Sequence, residues 1–149
     1  MTMSPKRILV ATDFSAGSDE ALMHAIDLAK ATSASVEILY VLEPELEEFP
    51  FWPSYYGVHG DVIAHINHGL SECAGRVAQA GLTCNTKMIE GVAAPEIVNY
   101  ARDIHADLVV VGTHGRRGLA HVVLGSVAER VVQHATCPVL TVPFSKKAA

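Results

Sequence analysis

Leu108, Val109, Val110 and Val111 form a run with no polar position. Such a run cannot serve as a strand with one face in water. It belongs in a parallel sheet, buried above and below by helices. The run ends at Gly112, carries on through His114, Gly115, Arg116 and Arg117, and meets Gly125-Ser126 ahead of a helical pattern. The glycine-rich connection therefore lies at the carboxyl end of the strand, where open α/β sheets take their ligands. Glycines let the backbone come close to a phosphate, the arginines add charge, and the N–H groups opening the next helix favour an anion. His114 is suited to hydrogen-bonding that anion.

The remaining chain repeats the same alternation. Residues 7–12 (RILVAT) read as a strand ended by Asp13, and Ser18 with Asp19 and Glu20 reads as a helix cap and acidic first turn. Leu22, Ala25, Ile26 and Ala29 share one face of that helix. Residues 35–42 (SVEILYVL) are the second strand. Asp61 reads as the cap of a second helix, whose Ile63, Ile66, Leu70, Cys73 and Val77 keep helical spacing up to Gly81. Gly69 and Gly75 interrupt it, each at a cost of about 1 kcal/mol relative to alanine. Residues 82–89 form a more polar strand suited to a sheet edge, and Pro95 suits the first turn of a helix with Ile97, Ala101 and Ile104 facing inward. Beyond Gly125-Ser126, Ala128, Val131, Val132 and Ala135 form one stripe, and residues 137–142 (CPVLTV) are a last strand with Pro138 at an edge or rim.

Five strands alternating with four helices predict a doubly wound α/β fold, with a parallel sheet and helices on both faces. All 149 residues, half of them hydrophobic, read as one domain. Residues 43–60 form an insertion loop holding five of the nine aromatics, and residues 144–149 a frayed tail. An apolar edge at residues 137–142 needs cover, which a second copy of the chain would supply. A formal net charge of −5 argues against nucleic-acid binding. No apolar segment is long enough for a signal peptide or a membrane span, so the expected location is cytoplasmic. Cys73, Cys84 and Cys137 have no CxxC spacing and read as small buried hydrophobes.

Neither GxxxxGK[ST] nor GxGxxG occurs after any strand. Ser126 has two readings: a ligand for phosphate, or the cap of a capping box with Glu129 three residues on. Asp13 likewise either contacts a ligand or its metal ion, or organises its own turn. His59, His65 and His68 have no thiolate or carboxylate at a metal-site spacing, so no metal site is expected there. No GxSxG elbow, Cys-His pair or acid and base carboxylate pair is present, so no catalytic residue is assigned.

With these residues in view, the chain resembles the universal stress protein family almost from end to end, at RILVATDFSAGSDEAL, EIVNYARDIHADLVVVGTHGRRGLAHVVLGSVAERVV and HATCPVLTV. The nucleotide-binding branch of that family is marked by GxxG, nine residues, then Gly and Ser or Thr, and Gly112, Gly115, Gly125 and Ser126 meet the pattern. The resemblance implies strand order 3-2-1-4-5, a homodimer through the last strand, and ATP (or ADP or AMP) with Mg2+ or Mn2+. It implies Ala11, Thr12, Asp13 and Val41 beside the adenosine, and Gly112, His114, Gly115, Gly125, Ser126 and Val127 around ribose and phosphates. Arg116 joins this set by its charge. The expected role is a dimeric, nucleotide-dependent regulator or stress-survival factor acting on a protein partner. A slow ATPase or nucleotidyl-transfer enzyme, and a nucleotide-free dimerisation or chaperone-like module, remain the alternatives.

Overall fold

The computed structural model describes residues 4–44, 55–113 and 124–144, with side chains from residue 60 onward in the second stretch. In chain order the elements are β1 (Arg7–Ala11), α1 (Ala16–Thr32), β2 (Ser35–Leu42), α2 (Tyr55–Gln79) and β3 (Cys84–Glu90). They continue with α3 (Ala93–Asp103), β4 (Leu108–Gly112), α4 (Ser126–His134) and β5 (Val139–Val142). The five strands form one sheet in the order β3-β2-β1-β4-β5, with every neighbouring pair parallel. The expected fold class and strand order are both observed.

The apolar run behaves as its composition requires. Leu108, Val109, Val110 and Val111 are all buried, and the pleat sends them alternately to two separate cores. Leu108 and Val110 join Ile8, Val10, Val36 and Ile38 under α1 and α2. Val109 and Val111 join Leu9 and Leu39 under α3 and α4. Each fully buried Val or Leu contributes about 1.5–3 kcal/mol relative to exposure. The central strands therefore fix the sheet before any loop is considered.

The helices present small or branched residues at the predicted spacing: Ala21, Leu22, Ala25 and Ala29 in α1, Ile66, Leu70, Cys73 and Val77 in α2, and Ala94, Ile97 and Ala101 in α3. Of the expected α4 stripe, Ala128 and Val131 are buried, Ala135 just past the helix packs half-buried against the same core, and Val132 is 48% exposed rather than inward. The α2 terminus closes as a Schellman motif: Gly81 at φ 77° donates to the Ala78 carbonyl (2.9 Å) and Leu82 to that of Val77 (3.4 Å).

Several local expectations are corrected. Helix α2 begins at Tyr55, so Asp61 lies inside it and caps nothing, and the long connection is shortened to residues 43–54, of which 45–54 lie outside the described residues. Strand β5 starts at Val139, because Pro138 has no N–H for the ladder. Its carbonyl instead accepts from the Val109 N–H at 3.0 Å. Cys73 is buried, but Cys84 and Cys137 are only half-buried. Burial pushes all three thiols up, that of Cys84 to about 11 with smaller contributions from Glu37 and Cys73. They stay protonated near neutral pH. Of the expected frayed tail, only Phe144 is described.

Candidate functional site at the carboxyl ends of β1 and β4

β1 and β4 are neighbours in the centre of the sheet, and the chain winds from β1 toward β2 on one side and from β4 toward β5 on the other. Their carboxyl ends therefore border the switch point, where connections leaving in opposite directions open a crevice. Ala11 and Gly112 are the last residues of the two strands. The chain's direction, not its loop composition, creates this position.

On the β1 side, four side chains hold one turn. Thr12 is buried and its N–H donates to the Leu39 carbonyl (2.9 Å). Asp13 Oδ1 accepts from the Ser15 N–H (2.9 Å) and from the Ser18 hydroxyl (3.0 Å). The Thr12 hydroxyl accepts from the Phe14 N–H (3.0 Å) and lies 3.1 Å from Ser18 Oγ. Phe14 takes a left-handed φ of 63°, a conformation that costs a non-glycine residue about 1–3 kcal/mol. Ser15 caps α1, its hydroxyl accepting from the Ser18 N–H at 3.3 Å. The expected cap at Ser18 is thus corrected to Ser15. Ser18 is buried inside the first turn, and its hydroxyl links Asp13 to the helix. The turn-forming reading of Asp13 holds, and it runs through Oδ1.

On the β4 side, Gly112, Thr113 and Gly125 converge. Thr113 is buried, its N–H donates to the Val142 carbonyl (3.0 Å), and its own carbonyl accepts from the Gly125 N–H (2.6 Å). A Cβ on Gly125 would stand 2.6 Å from the Thr113 oxygen, and one on Gly112 would stand 2.9 Å from the Gly17 oxygen at the start of α1. Both glycines are therefore required by close backbone packing, whatever they bind. Gly125 is the N-cap of α4, and Ser126 is its first helical residue, exposed. The capping-box reading of Ser126 and Glu129 is corrected: the Glu129 N–H donates to the Gly125 carbonyl (2.9 Å), and the cap residue has no side chain. Val127 is 39% exposed beside it.

Val41 lies in β2, half-buried on the same face of the sheet as Ala11. Two residues on, Glu43 turns back, and its Oε1 accepts from the Ala93 N–H (2.8 Å), capping α3 where its own N-cap residue, Val92, does not. Sequence reasoning missed this carboxylate, since 50 residues separate the partners. It also missed Ser15, although an aspartate two residues ahead is the signature of an Asx turn. His114, Gly115 and Arg116 lie outside the described residues. His68 lies on α2 with Nε2 3.1 Å from Glu72 Oε1. Among the described residues no group of three or more His, Cys, Asp or Glu could hold a metal ion, and no helix is long and apolar enough to cross a membrane.

A parallel sheet in the order 3-2-1-4-5 with a glycine-lined switch point defines a class of α/β proteins related to the doubly wound nucleotide binders. Within that class, the chain belongs to the universal stress protein family, which matches residues 5–143. Universal stress protein MJ0531 of Methanocaldococcus jannaschii is 39% identical over 143 residues, which cover 95% of this chain and 84% of that protein. The solved structure of MJ0577 superposes with a TM-score of 0.86 at 26% identity, covering 98% of this chain and 100% of that one. A universal stress protein solved in complex with cAMP gives a TM-score of 0.73 at 27% identity, covering 95% and 99%.

Proposed function

We propose that this chain belongs to the nucleotide-binding branch of its family and holds an adenine nucleotide in the crevice between β1 and β4. The observation that carries the reading is the start of α4. Its N-cap is a glycine without a side chain, it is packed against Thr113, and its first turn opens at the switch point. A phosphate there would meet the N–H groups of the first helical turn and the positive end of the helix dipole. Ala11, Thr12, Asp13 and Val41 would then line the adenosine, and Gly112, Gly125, Ser126 and Val127 the ribose and phosphates, with His114, Gly115 and Arg116 completing the set. Asp13 would face the Mg2+ or Mn2+ that accompanies a triphosphate. The cAMP complex of a relative 27% identical supports nucleotide as the ligand class.

The exposed apolar side chains of Val132 (48%), Leu140 (37%) and Phe144 (41%) support a homodimer through β5. The nucleotide state would then alter the surface that this dimer offers to a protein partner. Two measurements test the reading. Extraction of freshly purified protein is expected to yield an adenine nucleotide, and calorimetry is expected to show binding of ATP with magnesium. Absence of both rejects it. Leu140→Lys, placing a charge on the uncovered edge, is expected to shift the mass measured by light scattering from dimer to monomer; an unchanged mass removes β5 from the interface.

A further inference from the structure

Phe14 sits in the turn that carries Asp13, yet its ring packs into the core under α1 and α2. The ring stacks on Tyr40 of β2, with 4.9 Å between centroids and 22° between planes. Gly69 of α2 lies against the edge of the ring. A Cβ at Gly69 would stand 2.6 Å from Phe14 Cζ and 2.8 Å from both Cε atoms, so this helix accepts the ring only because residue 69 has no side chain. The other interruption of α2, Gly75, has nothing within 4 Å of a Cβ position. The fit to Phe14 is therefore particular to one glycine. Beside it, a cleft of about 210 Å³ separates the two helices, and Arg76 of α2 reaches Asp19 of α1 at 3.4 Å.

The left-handed backbone of Phe14 is what lets the chain leave β1 and turn into α1 with Ser15 and Ser18 both on Asp13 Oδ1. A non-glycine residue holds that conformation only where its surroundings fix it. Here the backbone is held by the Phe14 N–H on Thr12 and by the Asp13 bonds to Ser15 and Ser18, and the ring is held by Tyr40 and by the close approach of Gly69. We propose that Phe14 is a positioning residue that ties the Asp13 turn to α2: its ring, seated against Gly69, sets the turn and hence the carboxylate at the mouth of the crevice. For its effect on ligand the inference rests on the nucleotide reading above, but the mechanical link needs no ligand. A displacement of α2 lowers nucleotide affinity, and by linkage bound nucleotide biases the position of α2.

Three variants form the test: Gly69→Ala, which drives a methyl into the ring; Phe14→Gly, which keeps the left-handed turn and removes the ring; and the two combined. In nucleotide-free protein, the amide 1H and 15N resonances of Ser15 and Ser18 report the turn. Gly69→Ala is expected to move both, and the double variant to match Phe14→Gly, because the methyl then has nothing to push. With ATP and magnesium, Gly69→Ala should bind about tenfold more weakly than the parent, and the other two should bind within about twofold of each other. Unmoved amides in Gly69→Ala, or a double variant whose amides depart from those of Phe14→Gly, overturn the proposal. Folding of the double variant where Gly69→Ala alone does not fold supports it, and failure of both overturns it. If the parent chain binds no nucleotide, the functional reading fails while the amide comparison still decides the link.

Discussion

The starts of α1 and α4 stand at the same end of the sheet and are finished in opposite ways. At α1, Ser15 takes the Ser18 N–H, and Asp13 takes the Ser15 N–H and the Ser18 hydroxyl, so the turn supplies its own acceptors, one of them a carboxylate. At α4, the cap is Gly125, held by a backbone bond to Thr113, and the first helical residue is an exposed serine. One terminus is completed by its own side chains. The other is shaped for close approach and brings no side chain of its cap residue to its amides. On the reading proposed above, an external anion would gain more at the second than at the first, where a carboxylate already stands.

The largest effect is expected from making the second terminus resemble the first. Ser126→Asp places a carboxylate on the first turn of α4. If a phosphate binds there, like-charge repulsion should weaken ATP binding by about 2–3 kcal/mol, roughly 30- to 150-fold. The same charge interacts favourably with the helix dipole, so thermal stability should hold or rise by about 0.3–1 kcal/mol. Calorimetry and thermal unfolding on one preparation check both signs. Undiminished affinity would mean that phosphate does not occupy the start of α4.

How much of this contrast was legible in the sequence follows from the range of the forces involved. The sheet was readable because burial on two faces leaves a local signature, as at residues 108–111, and strand order followed from the family resemblance. Gly112 and Gly125 were readable as special, but as a phosphate cradle. Their packing against Gly17 and Thr113 depends on how separate elements meet. The caps at Ser18, Asp61 and Ser126 failed because propensity rules name eligible residues. In each case the surrounding fold chose another boundary: Ser15, Tyr55 and Gly125. Phe14 carried no sequence signal, since the seat of its ring depends on a glycine 55 positions away in α2.

A second, smaller effect sharpens the comparison through stability alone. Ser15→Ala removes the side-chain acceptor at α1 and should cost about 1 kcal/mol, lowering the unfolding midpoint by roughly 2–4 °C. Ser126→Ala removes no cap and should change stability by no more than about 0.5 kcal/mol. Equal losses at the two serines, measured by urea or thermal unfolding, would erase the distinction between a capped and an uncapped start.

The smallest effect concerns α3, which stands between the two cases. Its cap is borrowed: Glu43, just past β2, reaches the Ala93 N–H, and Val92 contributes no side-chain bond. Because Glu43 is exposed, solvent screens its charge, and the charge itself should be worth only about 0.3–1 kcal/mol at low ionic strength. Glu43→Gln keeps an oxygen able to accept from Ala93 and removes only the charge, so its loss should shrink as salt rises toward 1 M, where the screening length is about 3 Å. Glu43→Ala removes the acceptor as well, and part of its loss should survive that salt. Parallel salt dependences for the two variants would show that Glu43 acts on α3 by charge alone. In that case, α1 would be the only one of the three starts finished by a side-chain hydrogen bond.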